Sequence, residues 1–124
     1  MTDRKDVVGT IVALNGEFDL AQQHRVNDAF NAAAEHDFVV VDLERAQYVD
    51  STVLSSLIRL RNDLTDRGGT MVLAAPKPTI RRLLDIAGLT GMFDIHASVA
   101  EVREQYGLTH DALRRVEIVA DVID

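Results

Sequence analysis

At Asp50-Ser51-Thr52 a carboxylate is followed by two adjacent hydroxyls, between an apolar stretch and a segment with helical spacing. Residues of these types in this order suit three kinds of chemistry: capping of a helix start, acceptance of a phosphoryl group, or nucleophilic attack by serine. Capping needs nothing further, because acids and hydroxyls satisfy the orphan amides and face the positive dipole end of a helix. A serine nucleophile needs a strained elbow with a base in reach, and the residues around Ser51 do not form Gly-x-Ser-x-Gly. A phospho-accepting aspartate is a fairer competitor, since Asp42 and Asp50 both fall near the end of an extended run. Such a site also needs an acidic pair to hold Mg²⁺, whereas Glu17 and Asp19 fall at a turn signal. On residue types alone, a capped helix start is the better reading.

Elsewhere the inventory for catalysis is poor. His24, His36, His96 and His110 form no i, i+4 pair and no ligand cluster, so they read as surface residues and no metal site is expected. Arg67-Gly68-Gly69-Thr70 precedes a strand pattern and reads as a helix-ending turn, not a phosphate cradle, so no cofactor is implied. With no cysteine there is no disulfide, thiolate nucleophile or Cys-ligated zinc. A net charge of -7 disfavours nucleic acid and anionic lipid as partners. No run approaches the ~20 apolar residues of a membrane span, and no basic-then-apolar leader opens the sequence. No membrane insertion and a cytoplasmic location are the expectations.

The elements that must position Asp50-Ser51-Thr52 follow from periodicity. In 124 residues, 47% apolar and 27% charged, one domain with one core is expected. Val7 to Leu14 reads as a strand stopped by the turn signal Asn15-Gly16, and Phe38 to Leu43 as a central buried strand. Thr70 to Ala75 reads as another, and Met92 to Ile95 as a short one. Helical spacing follows Asp19 (Val26, Ala29, Phe30, Ala33), follows Asp50 (Val53, Leu54, Leu57, Ile58, Leu60, Leu64), and follows Pro78 (Ile80, Leu83, Leu84, Ala87). Ser98 to Glu101 has the spacing of a capping box for a fourth helix through Tyr106. Beyond Gly107 the pattern fits a helix or, over Val116 to Ile123, an extended segment. Alternating strands and helices predict an open α/β sheet.

Several segments in this order resemble the STAS family of bacterial anti-sigma factor antagonists. Leu14-Asn15-Gly16-Glu17-Phe18-Asp19 resembles the family's Leu-x-Gly-Glu-x-Asp element. Val40-Val41-Asp42-Leu43 followed by Tyr48-Val49-Asp50-Ser51-Thr52 resembles its strand and Asp-Ser-Ser/Thr-Gly-Leu loop, and Pro78 to Leu89 its third helix and Gly-Leu exit. The resemblance runs from about Val7 to Tyr106. It implies a STAS domain over residues 1–107, with 108–124 as a C-terminal extension, built as a single mixed sheet of about four to five strands packed by four or more helices. It also implies a non-enzymatic switch: the chain binds an anti-sigma factor, commonly a GHKL-type Ser/Thr kinase, and frees sigma. Phosphorylation by that kinase at Thr52, or alternatively Ser51, ends the binding, and a Ser/Thr phosphatase restores it. Asp19, Asp50, Ser51, Thr52, Val53, Ser55 and Ser56 are the partner-binding residues expected on this reading. The alternative is a non-phosphorylated interaction subunit of a transporter ATPase complex.

Two departures from the family pattern carry expectations of their own. Val53 stands where the family usually has Gly, and a β-branched side chain beside the acceptor is expected to obstruct a kinase. The segment before Leu14 is short, so an N-terminal edge strand found in many relatives is expected to be reduced or missing.

Overall fold

The computed structural model describes residues 7–120. Its first element, β1 (Gly9–Phe18), is buried from Gly9 to Leu14 and organises the sheet. α1 (Gln23–Ala33) follows a single 3-10 turn at Leu20–Gln22. Then come β2 (Phe38–Asp42), β3 (Ala46–Val49), α2 (Ser51–Asp66), β4 (Thr70–Ala74), α3 (Pro78–Ile86), β5 (Asp94–His96), α4 (Val99–Tyr106) and β6 (Leu113–Val119). The apolar runs at β1, β2 and β4 became strands and the amphipathic runs at α1, α2 and α3 became helices, as their periods dictate.

One sheet runs β6-β1-β2-β4-β5 in pairing order, with β3 paired to the far end of β1. Every pairing among the described residues is parallel, where a mixed sheet was expected. β6 gives the sheet a sixth strand, and it lies along β1 from Gly9↔Leu113 to Asn15↔Val119. It thus covers the edge of β1 that a preceding hairpin strand would use. Residues 116–123 could be read as helix or strand; the strand prevails through Val119, and Asp121 to Ile123 lie outside the described residues.

Asn15-Gly16 does not end β1. Gly16 takes φ +116, its N–H donates to the Arg45 carbonyl at 3.0 Å, and the register shifts by one residue between Gly16 and Glu17. The extra residue is Gln47 of β3, and the positive φ of Gly16 bends β1 opposite this bulge where it passes from β2 to β3. Only Leu43 to Arg45 separate β2 from β3, too few residues for a crossover, so the two strands are successive segments of one path along β1. At the other end Gly9 is held by crowding, since a Cβ there would sit 2.4 Å from the Phe38 carbonyl oxygen.

One face of the sheet (Val12, Leu14, Val39, Val41, Met71, Leu73) packs against α1, α2 and α3 in the main core. The other face carries a smaller cluster, Ile11, Val40, Val72, Ala74 and Leu113, covered by Val102 and Val99 of α4. Four helices thus enclose the sheet unequally, three on one side and one on the other.

The placement of α4 depends on a histidine that was expected at the surface. The His96 ring is 13% exposed, with Nε2 3.1 Å from Asp94 and Nδ1 3.2 Å from Glu101. Ser98 caps α4 by accepting from the Glu101 amide at 3.0 Å, but the Glu101 carboxylate turns to His96 and leaves the capping box half formed. The Tyr106 hydroxyl closes the group by donating to Asp94 at 2.5 Å. Burial pushes the His96 pKa down, but the two carboxylates outweigh it and raise the value above the usual 6.5. Burial and Asp94 together push the Tyr106 phenol up to about 12. With carboxylates at both ring nitrogens, the imidazolium is the state this geometry holds.

A raised histidine pKa contributes stability that is complete below the unfolded value of about 6.5 and is lost as pH rises through the folded value. The melting temperature should therefore fall more from mildly acid to mildly alkaline pH in the wild type than in His96→Gln. Differential scanning calorimetry of both proteins gives the comparison, and identical pH slopes would contradict the assignment.

Candidate functional site

Val49 ends β3 and the chain turns at once into α2, with Asp50 extended (φ -99°, ψ -174°) as the N-cap. One carboxylate oxygen of Asp50 accepts three hydrogen bonds: the Thr52 amide at 3.0 Å, the Val53 amide at 3.2 Å and the Thr52 hydroxyl at 2.6 Å. The N–H of Asp50 donates to the Phe18 carbonyl at 3.1 Å and ties the cap to the end of β1. Burial works to raise the Asp50 pKa, but the Thr52 hydroxyl and the amides of Val53, Thr52 and Leu20 outweigh it and hold the carboxyl below its usual range. It is therefore ionised at neutral pH.

A second cap lies beside the first. Asp19 accepts from the Ala21 amide at 2.8 Å, while the Gln22 side chain accepts from the Asp19 amide at 2.8 Å, a reciprocal capping box at the turn into α1. Because Asp19 follows Phe18 and the Leu20 amide reaches Asp50, the two caps form one rim. Asp19, Ser51 and Ser55 are exposed on this rim, and Asp50 and Thr52 are half-buried.

Two of the expected partner-binding residues are not on it. The Val53 side chain is 1% exposed and packs in the main core, because the first turn of α2 directs that position inward. It presents no surface to a partner, and its branched side chain does not stand over the hydroxyls. Ser56 is 3% exposed, and its hydroxyl donates to the Asn27 side chain at 2.7 Å, joining α2 to α1. Arg59 meets the same Asn27 oxygen at 3.3 Å.

Residue types alone did not point to two further residues on or near the rim. Leu20 is 65% exposed between the two caps, and Tyr48 is 50% exposed on β3. A leucine off the inner stripe of α1, directly after a capping aspartate, was the available signal.

Asp42, the other candidate phosphate acceptor, has a structural occupation. It is buried, accepts from the Glu44 amide at 3.0 Å and pairs with Arg115 of β6 at 3.1 Å. Among the described residues no group of three or more His, Asp or Glu is placed to hold a metal, and no helix is long and apolar enough to cross a membrane. What the rim offers is an ordered hydroxyl, an exposed one beside it, and the positive dipole end of a long helix whose first amides are capped by Asp50. That arrangement can accept a phosphoryl group or seat a partner surface.

The chain as a whole is similar to known proteins. The STAS domain family pattern matches residues 1–102. A STAS-domain containing protein of Pseudomonas aeruginosa is 31% identical over 85 residues, 68% of this chain and 84% of that protein. The anti-sigma F factor antagonist of Paenibacillus polymyxa is 28% identical over 89 residues, 69% of this chain and 76% of that protein. Among solved structures, unphosphorylated SpoIIAA, an anti-sigma factor antagonist, superposes with TM-score 0.69 at 22% identity over 84% of this chain and 95% of that one. A sulfate transporter family protein of Wolinella succinogenes superposes with TM-score 0.69 at 15% identity over 79% of this chain and 84% of that one. These last two likenesses are of fold.

Removing the cap should cost about 1 kcal/mol of stability in Asp50→Ala and less in Asp50→Asn, whose amide oxygen still accepts. Urea unfolding measures both, and an Asp50→Ala protein as stable as wild type would contradict the three-way hydrogen bonding described above.

Proposed function

The chain belongs to the STAS domain family, and from this premise we propose that it is an anti-sigma factor antagonist, a binding protein that engages an anti-sigma factor through the rim around the start of α2. The observation that carries the reading is the Thr52 hydroxyl, held at 2.6 Å by an ionised Asp50 on a helix N-terminus, with Ser51 exposed beside it. The Paenibacillus relative's name supports the partner class.

On this reading the anti-sigma factor is a Ser/Thr kinase that transfers phosphate from ATP to Thr52, with Ser51 as the second candidate, and a phosphatase reverses the step. Oγ1 of Thr52 bonds to the γ-phosphorus as the bond to the leaving ADP breaks, and the hydroxyl proton passes to a carboxylate base supplied by the kinase. Asp50 fixes the hydroxyl in one rotamer; its lowered pKa makes it a better positioning group than base. The inward turn of Val53 leaves the approach to the hydroxyl clear of its side chain.

A phosphate adds about -1.5 to -2 charges and three acceptor oxygens. The helix N-terminus favours such an anion, so the fold tolerates it. A partner surface matched to a neutral hydroxyl and already facing Asp19 and Asp50 does not, because desolvation and repulsion both rise. Affinity falls while the domain stays folded.

Leu20 is the apolar anchor within this acidic rim, and truncating or charging such a centre is where interfaces lose most affinity. Leu20→Glu should weaken binding to the anti-sigma factor by at least tenfold, on the order of 1.4 kcal/mol, without changing the melting temperature. Calorimetric titration checks it, and unchanged affinity would place the interface elsewhere.

The switch is tested by incubating the chain with its cognate anti-sigma kinase and ATP and locating phosphate by mass spectrometry. Phosphate on Thr52 or Ser51, abolished in the Ser51→Ala/Thr52→Ala double variant, is expected. None on either residue, with a kinase competent on another substrate, would remove the switch and leave the binding role. A second reading, an interaction subunit of a transporter ATPase complex, draws on the Wolinella likeness, which is one of fold alone. Recovery of a transport ATPase and no anti-sigma protein on co-purification would favour it.

A further inference from the structure

β6 lies beyond the segment shared with the family, which ends at residue 102, and it brings an open edge to the sheet. Ala120 turns its N–H to β1, donating to the Asn15 carbonyl at 2.9 Å. By strand alternation Arg114, Val116 and Ile118 also turn theirs to β1, while Leu113, Arg115, Glu117 and Val119 direct N–H and C=O groups to the open side. The Val119 carbonyl confirms this direction, because it is met there by the Arg25 guanidinium at 2.9 Å rather than by another strand. Among the described residues no strand pairs with this edge.

The side chains along the edge complement themselves. In an antiparallel register centred on Val116, Arg115 of one copy stands opposite Glu117 of the other, and the symmetry repeats the pair. Arg115 and Glu117 are also the residues whose backbone groups face outward, so opposite charges fall on hydrogen-bonded positions. At the centre Val116, 40% exposed, meets its own copy at a non-hydrogen-bonded position, where side chains approach closest. A shift of one residue either way loses both the charge pairing and the backbone match.

We propose that β6 is an interaction surface for a second copy of this chain, pairing antiparallel with its counterpart about a two-fold axis at Val116. Two sheets join into one, with Arg115–Glu117 pairs on either side of the axis. Arg115 keeps its bond to Asp42 through Nη1 and meets Glu117 of the other copy with its remaining donors. The Arg25 bond to Val119 confines the pairing to the middle of the strand unless it is released. The interface is independent of the rim around α2.

Sedimentation of the full chain from micromolar to millimolar concentration reads the association directly. A reversible monomer–dimer equilibrium is expected, and Glu117→Arg, which sets like charges opposite each other twice, should weaken it by roughly tenfold or more. Val116→Lys, which repeats the conflict on the axis, serves if Glu117→Arg loses its far-ultraviolet circular dichroism. Amide exchange should slow at Arg115 and Glu117 on dimerisation and stay unchanged at Arg114 and Val116, which already face β1. A chain that stays monomeric at every concentration overturns the proposal, as does a dimer that neither substitution weakens.

Discussion

The hydrogen bond from the Asp50 amide to the Phe18 carbonyl is the point through which the sheet controls the site. β1 supplies that carbonyl only because Gly16 bends it past the end of β2, so that its last residues pair with β3. The bond then fixes where α2 begins, and with it which residues point inward. Val53 and Leu57 enter the core, while Ser51 and Ser55 are left outside. The same tie sets the Asp50 cap beside the Asp19 cap that follows Phe18 in the chain. A rim with two acids, three hydroxyls and an exposed leucine results from one backbone bond and two caps.

Electrostatics gives the rim its character. A carboxylate that accepts three donors on a single oxygen is held ionised and immobile, and the positive dipole end of α2 keeps the local potential suited to an anion. On the proposed reading, the domain accepts added negative charge at Thr52 or Ser51 without loss of fold, whereas a partner surface facing the same acids does not. This asymmetry between the folded chain and its complex is what a charge-based switch requires. Asp42 shows the contrasting case: its carboxylate is buried and paired with Arg115, so it anchors β6 to the sheet.

Much of the fold was legible because burial writes long apolar runs: the strands at Phe38 and Thr70 and the stripes of α1, α2 and α3 stand in the sequence as they stand in the sheet. β3 was missed because four residues with only Ala46 and Val49 buried carry too little alternation to register. Asn15-Gly16 was read as a turn because the positive φ that reverses a hairpin also permits a bend within a continuing strand, and only the partner strand distinguishes them. His96 was read as exposed since its carboxylates come from β5 and α4 together, a tertiary fact. At the site, the caps were legible from residue type and Val53 stood in the apolar stripe of α2, at odds with its assignment to the partner surface, but the inward turn of Ser56 was not legible. Ser56 is a small polar residue whose burial rests on its bond to Asn27 of α1, a tertiary contact that periodicity does not carry.

The central claim is that this rim is the surface on which an anti-sigma factor docks. Amide chemical shifts of the isotopically labelled chain, followed as unlabelled anti-sigma factor is added, test it residue by residue. The largest changes should fall on Asp19 to Gln22 and Asp50 to Ser55, with those around β6 small. Changes absent from both stretches, or concentrated on α4 and β6, would contradict it.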